Sequence, residues 1–251
     1  MRRRDVVTAI LAGALAIAVL AGPALAQQDS TRQRADVGGT LTVTSKGIST
    51  IPSFTLGRPA AMLDVSVARN GLSFEPQFRA GLDGKPWSVI LWGRYRLVRR
   101  ERLRVDLGGH PSLNFRTTRV TTGGVSRDVI VARRYLAGEL GSTWWLARNV
   151  GIGPYYLYSR GLEQDVARNT HFVSLRATIS APLPGRLVAR LTPQAYFLKT
   201  DALRGTYGYA GLTVSKRGFP LSASTVVNRV IRTDLAGERL LWNVNLHYAI
   251  R

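Results

Sequence analysis

Residues 101–116 read ERLRVDLGGHPSLNFR. Leu103, Val105, Leu107, Leu113 and Phe115 occupy odd positions, while Arg102, Arg104, Asp106, His110, Ser112, Asn114 and Arg116 occupy even ones. Side chains that alternate in this way belong to a β-strand with one apolar and one polar face. The same period of two returns along the chain, and after residue 26 there is no apolar run of 18 residues. Repeated two-faced strands without a spanning helix are the pattern of a membrane β-barrel, whose strands turn one face to lipid and the other to a lumen. The expected fold is all-β: a transmembrane antiparallel up-and-down barrel of about twelve strands.

The N-terminus points the same way. Arg2, Arg3 and Arg4 precede an apolar stretch over 6–22, and Ala24-Leu25-Ala26 precedes Gln27. That is the layout of a secretory signal peptide cut after Ala26, with an apolar stretch shorter than the roughly 20 residues that span a bilayer. The expected organisation is a signal peptide over 1–26, a polar periplasmic segment over 27–38 and a barrel over 39–251. The chain has no cysteine, which excludes disulfides, thiolate metal sites and cysteine nucleophiles. Its formal charge is +20, and removing 1–26 takes Lys and Arg from 35 to 32 and Asp and Glu from 15 to 14, leaving +18. Such an excess suits anionic partners, lipopolysaccharide phosphates and anionic solutes among them. Export and the lack of a recognition motif argue against nucleic acid. Mean hydropathy near zero fits a barrel, because lipid-facing and lumen-facing residues cancel along each strand.

Strands are expected near 40–48, 61–69, 71–82, 86–99, 101–118, 127–146, 148–161, 169–181, 185–200, 204–217, 219–232 and 239–251. Arg69-Asn70-Gly71, Leu82-Asp83-Gly84, Arg148-Asn149, Pro184-Gly185 and Arg217-Gly218 supply turn chemistry between them. The polar stretches 117–127, 161–169 and 233–239 are expected as outer loops. The link over 49–60, with Ile51, Pro52, Phe54 and Leu56, is less polar and is expected to fold into the pore.

With apolar residues turned to lipid, parity assigns a lumen set dominated by arginine: Arg94, Arg96, Arg102, Arg104, Asp106, Asn114, Arg116, Glu139, Arg176 and Arg190 are the candidate pore-lining residues. Asp64, Glu75, Gln77, Arg79, His110, Arg133, Gln194, Asn243, Asn245 and His247 join them. Two readings stay open: a plug of paired Arg and carboxylate groups that stiffens a narrow barrel, or an arginine excess that attracts anions. Trp87, Trp92, Tyr95, Tyr135, Trp144, Trp145, Tyr155, Tyr156, Tyr158, Tyr207, Tyr209, Trp242 and Tyr248 are assigned to headgroup-level girdles. A soluble β-sandwich is the alternative, since it also alternates and turns at this spacing.

The final stretch, residues 240–251, reads LLWNVNLHYAIR and places Leu240, Trp242, Val244, Leu246, Tyr248 and Ile250 on one face. It resembles the C-terminal strand that the outer-membrane assembly machinery recognises, although that signal usually closes on an aromatic residue and here Arg251 follows Ile250. Gly84-Lys85-Pro86-Trp87, Leu91-Trp92-Gly93-Arg94-Tyr95, 193–198 (PQAYFL) and Trp242-Asn243-Val244 are similar to an uncharacterised family of outer-membrane β-barrel proteins of Gram-negative bacteria. The resemblance runs from about residue 40 to the end; it implies location and fold and supplies no mechanism.

Catalysis finds little support. A barrel lipase needs a histidine and a serine two apart on the lipid face, so that base and nucleophile can meet. His171 and Ser174 are three apart, and His110-Pro111-Ser112 has the spacing with an inferred lumen orientation. The three histidines lie on separate strands without close carboxylates, which does not suit metal binding. Gly123-Gly124 reads as a turn and Gly108-Gly109 as a bend, and there is no P-loop or dinucleotide fingerprint. The expectation is therefore a non-enzymatic outer-membrane barrel without a cofactor: a small anion-biased channel or a structural envelope protein. The alternatives are a scaffold holding lipopolysaccharide through Arg119, Arg127, Arg160 and Arg168, and, more remotely, a lipid-deacylating barrel. Expected partners are outer-membrane lipids, lipopolysaccharide and the assembly machinery.

Overall fold

The computed structural model describes residues 35–49 and 51–250. The expected signal peptide and most of the expected periplasmic segment lie outside the described residues. Twelve strands follow in order: β1 (Asp36–Thr44), β2 (Ala60–Arg69), β3 (Leu72–Gly81), β4 (Pro86–Arg99), β5 (Leu103–Thr122), β6 (Val125–Ala147), β7 (Val150–Gly161), β8 (Asn169–Pro182), β9 (Leu187–Thr200), β10 (Leu203–Lys216), β11 (Leu221–Thr233) and β12 (Leu240–Ile250). Each pairs antiparallel with its neighbours in sequence, and β12 returns to pair with β1, so the sheet closes on itself. Closure removes both open edges, whose unpaired N–H and C=O groups would otherwise be exposed. A two-sheet sandwich does not form.

Antiparallel closure with an even strand number puts β1's start and β12's end on one side. On that side, the turn end, the links are short: 70–71, 100–102, 148–149, 183–186 and 217–220. The other side, the loop end, carries 45–59, 82–85, 123–124, 162–168, 201–202 and 234–239. Asn70-Gly71 and Gly123-Gly124 have φ of 51° and 83°, and 59° and 80°. Positive φ at both central residues is the type I′ geometry whose twist matches the flanking strands.

The outward face is apolar around the ring. Leu41, Phe74, Leu107, Leu140, Val173, Leu175, Phe197, Leu212, Val227, Val244 and Leu246 are all exposed. So continuous an apolar girdle is unlike the surface of a water-soluble monomer and matches the band of a membrane barrel. Among outward aromatics, Tyr95, Trp144 and Tyr248 lie nearer the turn end, and Tyr156 and Trp242 nearer the loop end.

Two boundaries differ from the sequence reading. β1 begins at Asp36, so the barrel starts before residue 39 and the expected strand over 40–48 ends at Thr44. The reason is its pairing: Gly39 to Thr44 match Ile250 to Asn245, and Thr40, Thr42 and Thr44 supply the inward face. The expected outer loop over 117–127 is mostly strand, since β5 and β6 remain paired to Thr122 and Val125 and turn only at Gly123-Gly124. Its residues alternate well enough in a polar setting to extend the ladder beyond the apolar band.

Candidate functional site: the barrel lumen

Cross-strand register builds the lumen row by row. Arg94 of β4, Gly108 of β5 and Glu139 of β6 face one another in sequence across three strands. Gly108 has no side chain to fill the space, and a Cβ there would lie 2.9 Å from Glu139 Oε1 and 3.0 Å from Arg94 Cγ. Arg94 therefore reaches across β5: its Nε donates to Glu139 Oε1 at 2.5 Å, and its Nη1 donates to Glu75. Glu139 also accepts from the Tyr155 hydroxyl at 2.6 Å, and Glu75 from Ser73 Oγ at 2.7 Å. The guanidinium lies 4.0 Å from the Trp92 ring centre. Gly108 is thus a close-approach residue rather than only a bend in the wall.

A second cluster sits toward the turn end, where Asp106 accepts from Arg104 Nε at 2.5 Å and from Arg96 Nε at 3.4 Å. Two other inward arginines are held differently. Arg79 donates Nη2 to Gln77 at 2.8 Å and lies 5.4 Å from the Trp87 ring, and Arg176 lies 3.9 Å from the Tyr155 ring. Among the described residues neither has a carboxylate within 4.0 Å. Paired and unpaired arginines coexist, so both sequence readings of the lumen have a structural counterpart.

Of the other candidate residues, Asn114 is buried on the lumen face and accepts from Arg116 Nε at 3.2 Å. Arg190 is on the inward parity of β9 but exposed near the turn end. Arg102 is a correction: it lies in the 100–102 link before β5 begins at Leu103, so it is not part of the wall. Its carbonyl still accepts from Trp145 N at 3.0 Å, but its side chain is exposed at the turn end.

The aromatic residues need a larger correction. Trp87, Trp92 and Tyr207 are buried inside the barrel, Tyr155 and Tyr209 pack against the interior cluster, and Tyr135 lines the lumen, so these six form no girdle. Across β7 to β10 the interior is a packed wall: Phe172 and Tyr196 lie 4.9 Å apart, and Tyr196 stacks on Tyr207 at 4.8 Å. Leu157 and Leu198 complete it. Toward the loop end, parts of these strands are apolar on both faces, as the run Tyr196-Phe197-Leu198 shows. That run was the available signal for an apolar interior.

The loop over 45–59 folds inward, as its low polarity indicates. Trp87 Nε1 donates to the Phe54 carbonyl at 2.9 Å, and Phe54 meets Tyr135 edge-on at 5.1 Å. The loop is braced internally by Leu56 N to Gly47 O at 2.9 Å and externally by the Arg58–Asp83 ion pair at 3.1 Å. Beneath it lies a cavity of about 360 Å³, bounded by Ile51 and Phe54 of the loop and by Arg79, Trp87, Trp92, His110, Tyr155, Phe172, Arg176 and Gln194 of the wall.

At the loop end, the 162–168 link is pinned to β6. Glu163 accepts from Arg134 Nε at 2.7 Å and from Arg134 N at 2.8 Å, while Asp165 pairs with Arg133. Hydrogen bonding to Arg134 holds the Glu163 carboxyl below its usual range, and Arg133 does the same for Asp165. His171 points outward, 2.9 Å from the Tyr156 hydroxyl, while Ser174 is buried inside, so the two occupy opposite faces. No cluster of three metal-ligating side chains occurs among the described residues.

No protein-family model matches the chain, and no curated protein matches it. Solved structures do. The COG4313 outer membrane channel from Pseudomonas putida F1 aligns with a TM-score of 0.55 at 10% identity, over 91% of this chain and 98% of that chain. The NanC porin aligns at 0.53 and 11% identity, over 86% of this chain and all of that one. The KdgM porin in complex with disordered oligogalacturonate aligns at 0.53 and 8% identity, over 85% and 99%. At these identities the likeness is one of architecture: this chain has the closed twelve-strand antiparallel barrel found in bacterial outer-membrane proteins.

Proposed function

We propose that this protein is an integral outer-membrane barrel acting as a small, anion-biased channel. The observation that carries the reading is the charge of the lumen. The Arg94 cluster, with Glu75 and Glu139, carries one negative charge in excess and the Asp106 cluster, with Arg96 and Arg104, one positive, so the two cancel. The excess comes from Arg79 and Arg176, which face the interior without a carboxylate at ion-pair distance. Fixed positive charge in a narrow passage lowers the barrier for anions and raises it for cations. The inserted 45–59 loop narrows the passage, which suits small solutes. The apolar outer band, the export signal and the barrel architecture shared with channels and porins support the location. The exposed β12 face, with Leu240, Trp242, Val244 and Leu246 outward, is the element for the assembly machinery to engage.

The test is a planar-bilayer recording on heat-modifiable, folded protein under a potassium chloride gradient. The expected reversal potential reports chloride preference. Cation preference, or no current from well-folded protein, would count against the reading.

A second reading has one observation in its favour. Arg119, Arg127, Arg160 and Arg168 all lie toward the loop end and are exposed there, the first two on the β5–β6 extension. A lipopolysaccharide-binding scaffold built on them would give silent bilayers and salt-sensitive lipid association. As neither reading involves catalysis, no fatty-acid release from a fluorogenic phospholipid is expected from wild type or His171→Ala.

A further inference from the structure

The cavity under the 45–59 loop has features that a passive constriction does not require. Arg79 Nε, Ser88 Oγ, His110 Nδ1 and Gln194 Nε2 are buried and make no hydrogen bond within the protein. All four residues line the same cavity, together with Arg176. Arginine Nε and amide Nε2 can only donate, and serine and one histidine tautomer can also donate, so the unpaired groups of this lining are able to donate, and two guanidiniums belong to the same lining. Buried donors without acceptors are costly, and buried cations without anions more so. No acidic residue is among the lining residues: Glu75 and Glu139 pair with Arg94, and Asp64, the carboxylate whose charge reaches Arg79, lies beyond ion-pair distance. A complementary occupant therefore carries an anionic acceptor group.

The rest of the lining sets the rest of the ligand. Trp92 and Phe172 on the wall and Phe54 on the loop present ring and hydrocarbon surface to the same space. Aromatic side chains favour flat apolar partners. A volume of about 360 Å³ is at the small end of the roughly 300–1,000 Å³ typical of ligand pockets. We propose that this cavity is a binding site for a small organic anion with a flat apolar body, of the aromatic carboxylate class, its carboxylate drawn to the guanidiniums of the lining, Arg79 and Arg176, and its ring held by the aromatic wall. The inference rests on the channel reading for the route by which a solute reaches the site, and on the cavity alone for its chemistry.

The test is titration calorimetry on the folded barrel in detergent, with benzoate as probe and acetate, benzyl alcohol and galacturonate as comparators. Benzoate is expected to bind at least about tenfold more tightly than each, since loss of either the charge-assisted bonds or the ring contact removes an interaction of that order. Arg79→Gln combined with Arg176→Gln is expected to abolish the preference. Should that variant not fold, wild type suffices: raising sodium chloride is expected to weaken benzoate and leave benzyl alcohol unchanged, as screening demands. Benzoate no tighter than acetate, galacturonate tighter than benzoate, or a folded double variant that still prefers benzoate would each overturn the site. A barrel that conducts anions without binding benzoate overturns this inference alone, and one that binds benzoate but passes no current overturns the channel reading alone.

Discussion

The indole N–H of Trp87 donates to the main-chain carbonyl of Phe54 at 2.9 Å, tying the inserted loop to the wall of β4. Trp87→Phe keeps the apolar bulk and removes the donor. The orphaned carbonyl costs about 1–3 kcal/mol if it stays buried, enough to favour loop conformations that reach water. Single-channel conductance is expected to rise, with the fold retained by heat-modifiable migration. An unchanged conductance would show that the loop is held by its internal bonds and the Arg58–Asp83 pair instead.

The Arg94 cluster should be a stability element. Removing one member of a buried ion pair costs roughly 3–5 kcal/mol, and Arg94 keeps Glu75 when Glu139 is neutralised, so Glu139→Gln is expected to cost about 2 kcal/mol in urea unfolding followed by tryptophan fluorescence. Gly108→Ala, which pushes a methyl group between the same partners, is expected to destabilise in the same direction. Stability at or above wild type for both would mean that the lumen relaxes around the cluster.

His247 bridges the seam, with Nδ1 2.9 Å from Thr42 Oγ1 on β1 and Nε2 2.8 Å from Ser224 Oγ on β11. Asn243 adds a bond to Thr44 at 2.9 Å. His247→Ala leaves the buried Thr42 hydroxyl without this partner, at a cost of about 1–3 kcal/mol. The folded band on a gel should convert to the unfolded position at a lower temperature than in wild type, whereas the outward Trp242→Phe should leave that temperature nearly unchanged.

The 162–168 link should loosen only in acid. Glu163 and Asp165 ionise below their ordinary values of 4.5 and 3.8, because docking on β6 favours their charged forms. Their contribution is complete above those values and drains away as the pH falls below them. The chain has no cysteine, so Gln164→Cys gives a unique attachment point for a spin label. The label is expected to stay restricted at neutral pH and become mobile in acid, and a mobility independent of pH would remove the ion pairs as the cause.

Much of the architecture was legible because a barrel writes its period into every strand. Leu103, Val105 and Leu107 against Arg104 and Asp106 needed no tertiary information, and Asn70-Gly71 marked its own turn. The inward turn of the 45–59 link was visible in Ile51, Phe54 and Leu56. What failed was the rule that apolar residues face out. Toward the loop end of β7 to β10, around Leu157, Phe172 and Tyr196-Phe197-Leu198, apolar residues occupy both faces, so alternation carries little contrast there, and the interior stack of Phe172, Tyr196 and Tyr207 follows only from register. The approach of Arg94 to Glu139 was equally hidden, since it depends on Gly108 lying between them on a third strand.

The pairing of β1 with β12 also fixes an order of events. Thr42 and His247 are separated by 205 positions, so their contact closes nearly the whole barrel chain into one loop, with an entropic cost that only a nearly complete sheet can offset. Neighbouring hairpins can form locally, but the ring cannot close until the last strand is available. A chain cut short before residue 240 would be left as an open sheet with two raw edges, a template for association with other chains. The last strand thus stands between a self-contained cylinder and an aggregate.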